Sequence, residues 1–198
     1  MTGLTRRILL AGLASLSVAH PTHAATTRYE LVPEGTSVDF TFDISGLAQS
    51  GTMPIQSADI QIDLSNLANS TVSVTLNAAE ARTRLPFARS AMLGQGVLDV
   101  EQFPTIQFVS TEVQLGEGGR ISRGATITGD LTLRGVTRPI TLQADLFRPP
   151  GSDAANLDML SIRLTGALNR HDFGASGYTD LVQDTVGLDI KAEIKRAE

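Results

Sequence analysis

The sequence predicts an all-β fold, because segments in which apolar and polar residues alternate recur along most of its 198 residues. The pattern is densest between Phe103 and Leu146. In residues 125–133 and 140–146, every second residue is apolar or glycine, so each strand would have one buried face and one face in water. The polar residues from Arg134 to Pro139 would join these strands as an antiparallel hairpin. Many short strands of this kind predict a β-sandwich or a closed barrel.

Residues 1–24 have the features of a secretory signal peptide. Arg6 and Arg7 precede an apolar run from Ile8 to Ala19, and small residues surround the cleavage position after Ala24. We therefore expect an exported, periplasmic protein with one domain in residues 25–198. The paired arginines also loosely fit a twin-arginine signal. Such pairs are common in ordinary signals too, so we expect the Sec route.

Removal of the signal peptide would leave 174 residues, which is enough for one domain with a sizeable core. This part of the chain has 14 basic and 21 acidic residues, a formal net charge of −7. That balance argues against nucleic acid, or an anionic membrane, as the main partner. None of its segments approaches the roughly 20 apolar residues that a transmembrane helix needs. The chain has no cysteine, so its core must be stable without disulfides.

Further strands are predicted before and after the densest region, which brings the total to about eight. They lie in residues 38–44, 60–64, 72–76, 106–108, 160–164 and 186–192. The alternation slips between Phe108 and Val113, which predicts a β-bulge near Val109 and Ser110. Turn composition marks Gly116 to Gly119 and residues 148–153 as connections.

One segment, from Leu85 to Gly96, departs from the strand pattern and predicts a short helix. Pro86 is suited to the first turn of a helix, and Gly94 or Gly96 can end one. Phe87, Ala91 and Met92 would share one face. A short helix in an otherwise β chain commonly closes one end of a barrel.

Residues that could carry catalysis are scarce in this sequence. Of three histidines, only His171 lies outside the predicted signal peptide. A histidine-rich metal site is therefore excluded, and Arg170, His171 and Asp172 form the one polar cluster that an enzyme could use. Acidic pairs such as Asp59 and Asp63 lie in the polar phase of their strand and should face water. Phosphate-binding and dinucleotide-binding motifs are missing, so we expect neither an enzyme nor a metal site.

Several phenylalanines lie on the predicted inward faces of the strands. In an eight-stranded barrel, such side chains either fill a solid core or surround one small ligand. Composition does not decide between these two interiors.

Five segments are informative in combination: residues 29–33, 37–40, 99–111, 129–140 and 169–174. In this order along the chain, they resemble the YceI-like family of exported, lipocalin-like proteins that bind polyisoprenoid chains. The resemblance implies an eight-stranded antiparallel lipocalin-like barrel, with a short helix near one end and an elongated apolar cavity. It also implies that the protein binds, transports or sequesters a long-chain isoprenoid or similar amphiphilic lipid without catalysis.

On this resemblance we expect a hydrophobic small-molecule ligand, such as an isoprenoid quinone or a polyprenyl lipid, and no other cofactor. The wall residues would be Phe40, Phe42, Phe108, Leu131, Leu133 and Leu164. Residues near an opening would be Phe87, Met92 and Phe173.

The alternative is a barrel filled by its own side chains, which would act through its surface as a stress-response or partner-binding module. Ile44, Met92 and Leu98 are the residues that would fill it. A cavity of several hundred Å³ separates the two hypotheses, because a chain of many isoprene units needs that volume. An edge strand or the mouth of the barrel could support a homodimer.

Overall fold

The structure is a computed structural model that describes residues 26–116, 124–147 and 156–198. The predicted signal peptide and the loop predicted at residues 148–153 lie outside the described residues, as does most of the turn predicted at Gly116 to Gly119. The described residues form strands β1 Thr27–Leu31, β2 Ser37–Ile44, β3 Leu47–Thr52, β4 Ile55–Ile62, β5 Thr71–Asn77, β6 Arg82–Thr83, β7 Thr105–Leu115, β8 Ala125–Leu133, β9 Val136–Phe147, β10 Met159–Asn169 and β11 Thr185–Arg196, and helix α1 Pro86–Leu93.

Eight strands close into a barrel in the order β1, β4, β5, β7, β8, β9, β10 and β11. Every pairing in this ring is antiparallel. Strand β1 completes the ring, since Tyr29 lies opposite Ile60 of β4 while Leu31 lies opposite Ile194 of β11. The predicted eight-stranded antiparallel barrel with one short helix is confirmed.

Strands β2, β3 and β6 extend the wall at one end of the barrel. Strand β2 pairs with β11 and β3, and β3 pairs with β6. Ser45 and Gly46, with φ of 52° and 84°, make the tight turn between β2 and β3, a conformation that suits the twist of a hairpin. Helix α1 directly follows β6, so it lies at this end as well.

Helix α1 occupies the predicted segment and has the predicted limits. Pro86 lies in its first turn, where the N–H that proline lacks would have no partner within the helix. The N–H of Gly94 donates to the carbonyl of Ala91 at 3.3 Å and ends the helix. Met92 is buried, but the Phe87 side chain is 70% exposed. The helix therefore does not bury the whole of its apolar face.

The predicted irregularity in β7 is a β-bulge. Ser110 lies opposite Gly129 and Glu112 opposite Thr128, so Thr111 is the extra residue of the bulge. The Thr111 hydroxyl donates to the Thr128 carbonyl at 3.2 Å. The Ser110 hydroxyl accepts the backbone N–H of Val72 at 2.8 Å. This hydrogen bond gives the Val72 N–H of β5 an acceptor next to the bulge, where the regular pairing is interrupted.

The hairpin between β8 and β9 is tighter than the sequence suggests. We expected a connection from Arg134 to Pro139, but Leu133 already lies opposite Val136. Arg134 and Gly135 alone make the turn, both with positive φ. Pro139 instead lies inside β9. Strand β10 pairs only with residues 143–147 of β9, so Pro139 has no partner in β10. Proline is tolerated there because no ladder bond needs its missing N–H.

Three strands do not appear among the predicted ones: β1, β3 and β6. Strand β3 has the sequence Leu-Ala-Gln-Ser-Gly-Thr, in which apolar and polar residues do not alternate. Strand β6 has two residues, and β1 is five residues long with one buried side chain, Tyr29. Their pairing partners, rather than their own patterns, make them strands.

The end of the barrel opposite α1 is filled by a cluster that we call the packed end. Its buried residues are Tyr29, Ile60, Ile62, Leu160 and Ile194. Tyr29 is 1% exposed and Ile194 is fully buried. The Tyr29 hydroxyl donates to the carbonyl of Leu157 at 2.6 Å. Its ring therefore fills the core while its polar atom is satisfied.

The turn that follows β4 at the packed end is organised by the Asp63 carboxylate. It accepts the backbone N–H groups of Ser65 and Asn66 at 2.9 and 3.0 Å, the Ser65 hydroxyl, and the Asn69 amide at 3.1 Å. These bonds, the Ser65 hydroxyl first, lower the pKa of Asp63 to about 2. The expectation that Asp63 faces water is wrong, because the turn folds over the carboxylate and buries it completely.

Candidate functional site

The barrel encloses an elongated cavity of about 400 Å³. Its wall extends from Ile60 and Ile194 at the packed end to Phe87 and Tyr178 at the α1 end. Among the described residues that line it, Arg170 is the one charged side chain. An interior of this composition can surround an apolar chain but offers few partners to a polar molecule.

The strands place their apolar side chains on the cavity because residues paired across strands project from the same face of the sheet. Phe108 of β7 lies opposite Leu131 of β8, and Leu164 of β10 lies opposite Ile190 of β11. All four line the cavity. The alternation seen in the sequence is thus the pattern of the cavity wall.

Two glycines make room for the aromatic rings of the wall. A Cβ atom on Gly129 would collide with the Phe108 ring, and a Cβ atom on Gly51 would collide with the Phe40 ring. The edge of each ring therefore occupies the space that a side chain at the glycine would take. The Phe40 and Phe42 rings are stacked beside each other, with centroids 6.0 Å apart.

At the α1 end the cavity reaches solvent. Phe87, Tyr178 and Leu181 line it and are 70%, 52% and 54% exposed. Tyr178 and Leu181 belong to the segment between β10 and β11, and the N–H of Gly177 in that segment donates to the carbonyl of Gly96 at 2.6 Å. This bond holds the segment against the loop that follows α1, so both elements border one opening.

Arg170 holds the segment between β10 and β11 in place. Its guanidinium donates to the carbonyls of Ala175, Gly177, Val182 and Gln183 at distances between 2.5 and 3.0 Å. The side chain is 4% exposed, and no described carboxylate forms an ion pair with it. Four carbonyl dipoles thus compensate a buried positive charge beside the cavity.

The predicted site residues come together, with one exception. Those that line the cavity are Phe40, Phe42, Phe87, Met92, Phe108, Leu131, Leu133 and Leu164. Phe173 does not: it is 2% exposed and belongs to the same buried cluster as Met92 and Leu98. It follows Arg170 in a short 3₁₀ turn that packs into the core, rather than bordering the opening. That any of these residues contacts a ligand stays a prediction.

The residues that were expected to fill the barrel leave its interior open. Ile44, Met92 and Leu98 all lie along the cavity wall. The cavity volume of about 400 Å³ lies in the range of several hundred Å³ that a chain of many isoprene units needs. The geometry favours a ligand-binding barrel over a filled one.

Sequence reasoning missed the contribution of the segment between β10 and β11. The cavity wall includes Tyr178, Leu181 and Val182. These residues lie in a loop rather than a strand, so apolar and polar residues do not alternate around them. Arg170 was singled out only as part of a polar cluster. The carbonyls it binds have no signature in the sequence, so its role in holding the loop could not be read from residue types.

The polar cluster around His171 does not form a catalytic arrangement. His171 Nε2 lies 3.3 Å from Asp184 Oδ1, but the two are not aligned for a hydrogen bond. Arg170 is committed to backbone carbonyls, and neither His171 nor Asp172 lines the cavity. Within residues 26–116, 124–147 and 156–198, no three acidic or histidine side chains converge as a metal site would need. The helices in those ranges are all too short or too polar to span a membrane.

Comparison with known proteins agrees with this architecture. The YceI-like domain matches residues 29–194. A UPF0312 protein of Pseudomonas putida (strain W619) is 32% identical over 189 residues, which cover 93% of either chain. The solved structure of Burkholderia cenocepacia BcnA superposes with a TM-score of 0.70 at 16% identity, over 83% of this chain and 99% of that one.

A second solved structure is described as a polyisoprenoid binding domain from Saccharophagus degradans. It superposes with a TM-score of 0.63 at 11% identity, over 86% of this chain and 99% of that one. Because the two solved structures are only 16% and 11% identical to this chain, they establish a shared fold and no more. Family membership is established by the domain match and by the Pseudomonas relative. The chain belongs to the YceI-like family.

Proposed function

We propose that this protein binds a long-chain isoprenoid or similar amphiphilic lipid, whose apolar tail occupies the barrel cavity. The observation that carries the proposal is the apolar cavity of about 400 Å³ that opens at the α1 end. Pockets that bury a drug-sized ligand span roughly 300–1,000 Å³, so the volume suits part or all of a prenyl chain. The Saccharophagus domain with the same fold is described as binding polyisoprenoids, which supports this choice of ligand.

The energetics favour a ligand of this kind. Burying a methylene-sized group contributes about 0.8 kcal/mol, so about ten buried carbons contribute on the order of 8 kcal/mol. Association itself costs about 4 kcal/mol or more. A chain of several isoprene units therefore binds without any polar contact, whereas a single unit does not.

The polar end of the ligand would lie at the opening, near Arg170 and Tyr178. Arg170 Nη2 carries two N–H groups, of which one donates to the Val182 carbonyl. No second acceptor for Nη2 lies among the residues that the structure describes. An oxygen of a quinone, a hydroxyl or a phosphate group that reached this guanidinium could accept the remaining bond.

The role we propose is transport or sequestration in the periplasm, without catalysis. The predicted signal peptide supports export, and the separation of His171 from the cavity supports a binding role. The ligand would occupy the cavity without a covalent step.

Organic extraction of the purified protein, followed by mass spectrometry, tests the proposal. We expect a prenyl lipid in the extract, and uptake of geranylgeraniol by the extracted and refolded protein. A barrel that is repeatedly empty and takes up no prenyl alcohol would contradict the proposal.

Two tryptophan substitutions on one strand make a matched pair for this test. Leu164→Trp places a large side chain in the cavity, whereas Ala167→Trp places it on the exposed outer face of β10. We expect Leu164→Trp to weaken binding of geranylgeraniol by roughly tenfold or more, because the indole takes the space of the chain. Ala167→Trp should bind like the unchanged protein. Equal binding by both variants would place the ligand outside the cavity.

A further inference from the structure

We propose that the α1 side of the barrel opening docks on anionic lipid membranes, so that a lipid can pass directly between the bilayer and the cavity. This inference rests on the proposed function, since it supplies the route by which the ligand enters. It concerns a surface that we call the rim, defined by Leu47, Phe87, Tyr178 and Leu181.

The rim consists of exposed apolar side chains that continue the cavity wall. Leu47, Phe87, Tyr178 and Leu181 are each at least 52% exposed. The last three also line the cavity. Leu47 lies opposite Ile44 across the β2–β3 hairpin, and Ile44 lines the cavity, so Leu47 continues the same face. A chain leaving the cavity would move along these side chains without crossing a polar barrier.

The rim residues come from separate segments that hydrogen bonds hold together. The N–H of Ser45 donates to the carbonyl of Leu181 at 2.8 Å, and the N–H of Gln183 donates to the carbonyl of Asp43 at 3.1 Å. Ile44 also forms a β-bridge with Val182. The hairpin tip and the loop between β10 and β11 therefore present their apolar side chains as one surface.

Three exposed arginines flank Phe87 in the chain: Arg82, Arg84 and Arg89. Residues 81–98 contain no acidic residue. Arg89 Nε donates to the Ala81 carbonyl at 3.0 Å, which fixes α1 against the preceding loop. Within the described part of the chain, none of the three forms an ion pair. An exposed aromatic ring among arginines is the composition of surfaces that bind anionic membranes.

The charge of this segment is opposite to that of the chain around it. Residues 25–198 have a formal net charge of −7, and the stretch from 81 to 98, between Glu80 and Asp99, contributes +3, so the rest of that part carries −10. Asp43 and Asp180 belong to the hairpin and loop that carry Leu47, Tyr178 and Leu181. An anionic surface therefore attracts the α1 side of the rim, with Phe87, more strongly than the side with these two carboxylates. The net charge of the whole chain does not show this difference.

Flotation of the purified protein with lipid vesicles tests the proposal. One set of vesicles contains phosphatidylcholine alone, and the other contains phosphatidylcholine with phosphatidylglycerol. At low salt, we expect the protein to bind the anionic vesicles about tenfold more strongly than the neutral ones. Binding to the anionic vesicles should weaken as salt is added.

Substitutions locate the contact. Phe87→Ser and, separately, the pair Arg82→Gln with Arg84→Gln should each reduce binding to anionic vesicles by about fivefold or more. Arg89 is left unchanged because it holds α1. Phe147→Ser is the matched control, since Phe147 is 54% exposed at the packed end, and it should bind vesicles like the unchanged protein.

Three results would overturn the proposal. These are failure to bind either kind of vesicle, equal loss of binding in Phe87→Ser and Phe147→Ser, or a dimer that Phe87→Ser dissociates while no vesicle is bound. The last result would assign the rim to a second copy of this chain. Uptake of geranylgeraniol from dilute detergent is measured on the Arg82→Gln, Arg84→Gln double variant, because neither arginine lines the cavity. Normal uptake with lost vesicle binding would be a failure of docking alone, and lost uptake would be a failure of the proposed function.

Discussion

The two ends of this barrel are built from the same alternating strands but differ in how their apolar side chains are used. At the packed end, Tyr29 and Ile194 are 1% and 0% exposed, and Asp63 organises a tight turn beside them. At the rim, Phe87 and Leu181 are more than half exposed around an open cavity. The packed end keeps its apolar side chains out of water, whereas the rim leaves its own exposed at the opening, next to a buried cluster that includes Met92 of α1. The difference indicates that stability and ligand binding can be perturbed separately.

The largest loss of stability is expected when a buried side chain is removed from the packed end. Tyr29→Ala removes a buried ring and leaves the Leu157 carbonyl without its donor, so the free energy of unfolding should fall by about 3–5 kcal/mol. Urea unfolding followed by circular dichroism measures this change. Tyr29→Phe, which loses the hydroxyl alone, should cost about 0.5–1.5 kcal/mol. A loss for Tyr29→Ala no larger than that for Tyr29→Phe would show that this end is not the stable one.

The next effect tests whether the rim has a stabilising element of its own. Arg170→Met keeps most of the apolar stem but leaves four carbonyls without their donor. We expect a loss on the order of 3 kcal/mol in the free energy of unfolding. Increased proteolysis between β10 and β11 should accompany it. Arg170→Lys should recover part of this stability, and if it behaved like Arg170→Met, the carbonyl contacts would not be the cause.

A smaller effect, dependent on pH, is expected at the packed end. The pKa of Asp63 is about 2 in the folded protein, against an ordinary value of 3.8. Because the folded pKa is the lower one, the ionised carboxylate stabilises the fold above about pH 4, and this contribution is lost as the pH falls toward 2. Asp63→Asn should unfold more easily at pH 7 and lose less stability between pH 4 and pH 2. Parallel stability curves for both proteins over that range would contradict this account of the turn.

The smallest effect on stability is expected at the rim surface. Phe87→Ser removes a side chain that is 70% exposed, so the free energy of unfolding should change by about 0.5 kcal/mol or less. Thermal unfolding with and without geranylgeraniol measures both stability and ligand response. A loss comparable to that of Tyr29→Ala would mean that Phe87 is part of the core and would remove the contrast between the ends.

The alternating pattern predicted the barrel well because a wall with one apolar face has a direct signature in the sequence. The bulge at Thr111 and the limits of α1 were also readable, from a slip in alternation and from Pro86 and Gly94. Strands β1, β3 and β6 were not: β3 has no alternation, β6 has only two residues, and β1 is a short strand whose partners lie far away in sequence. The same is true of the opening, because Tyr178 and Leu181 lie in a loop held by Arg170 through backbone carbonyls. Side-chain patterns cannot report such contacts.

The central claim, that the apolar cavity holds a prenyl chain entering at the rim, is tested most directly by affinity as a function of chain length. The chain contains no tryptophan, so Tyr178→Trp gives a single fluorescent reporter at the opening. Titration with prenyl alcohols of one to five isoprene units should show an affinity that increases about tenfold or more per unit and then levels off when the cavity is full. Leu164→Trp, made in the chain that keeps Tyr178 so that it too has a single tryptophan, should reach its plateau at a shorter chain. An affinity that does not depend on chain length, or a plateau that Leu164→Trp leaves in place, would contradict the account.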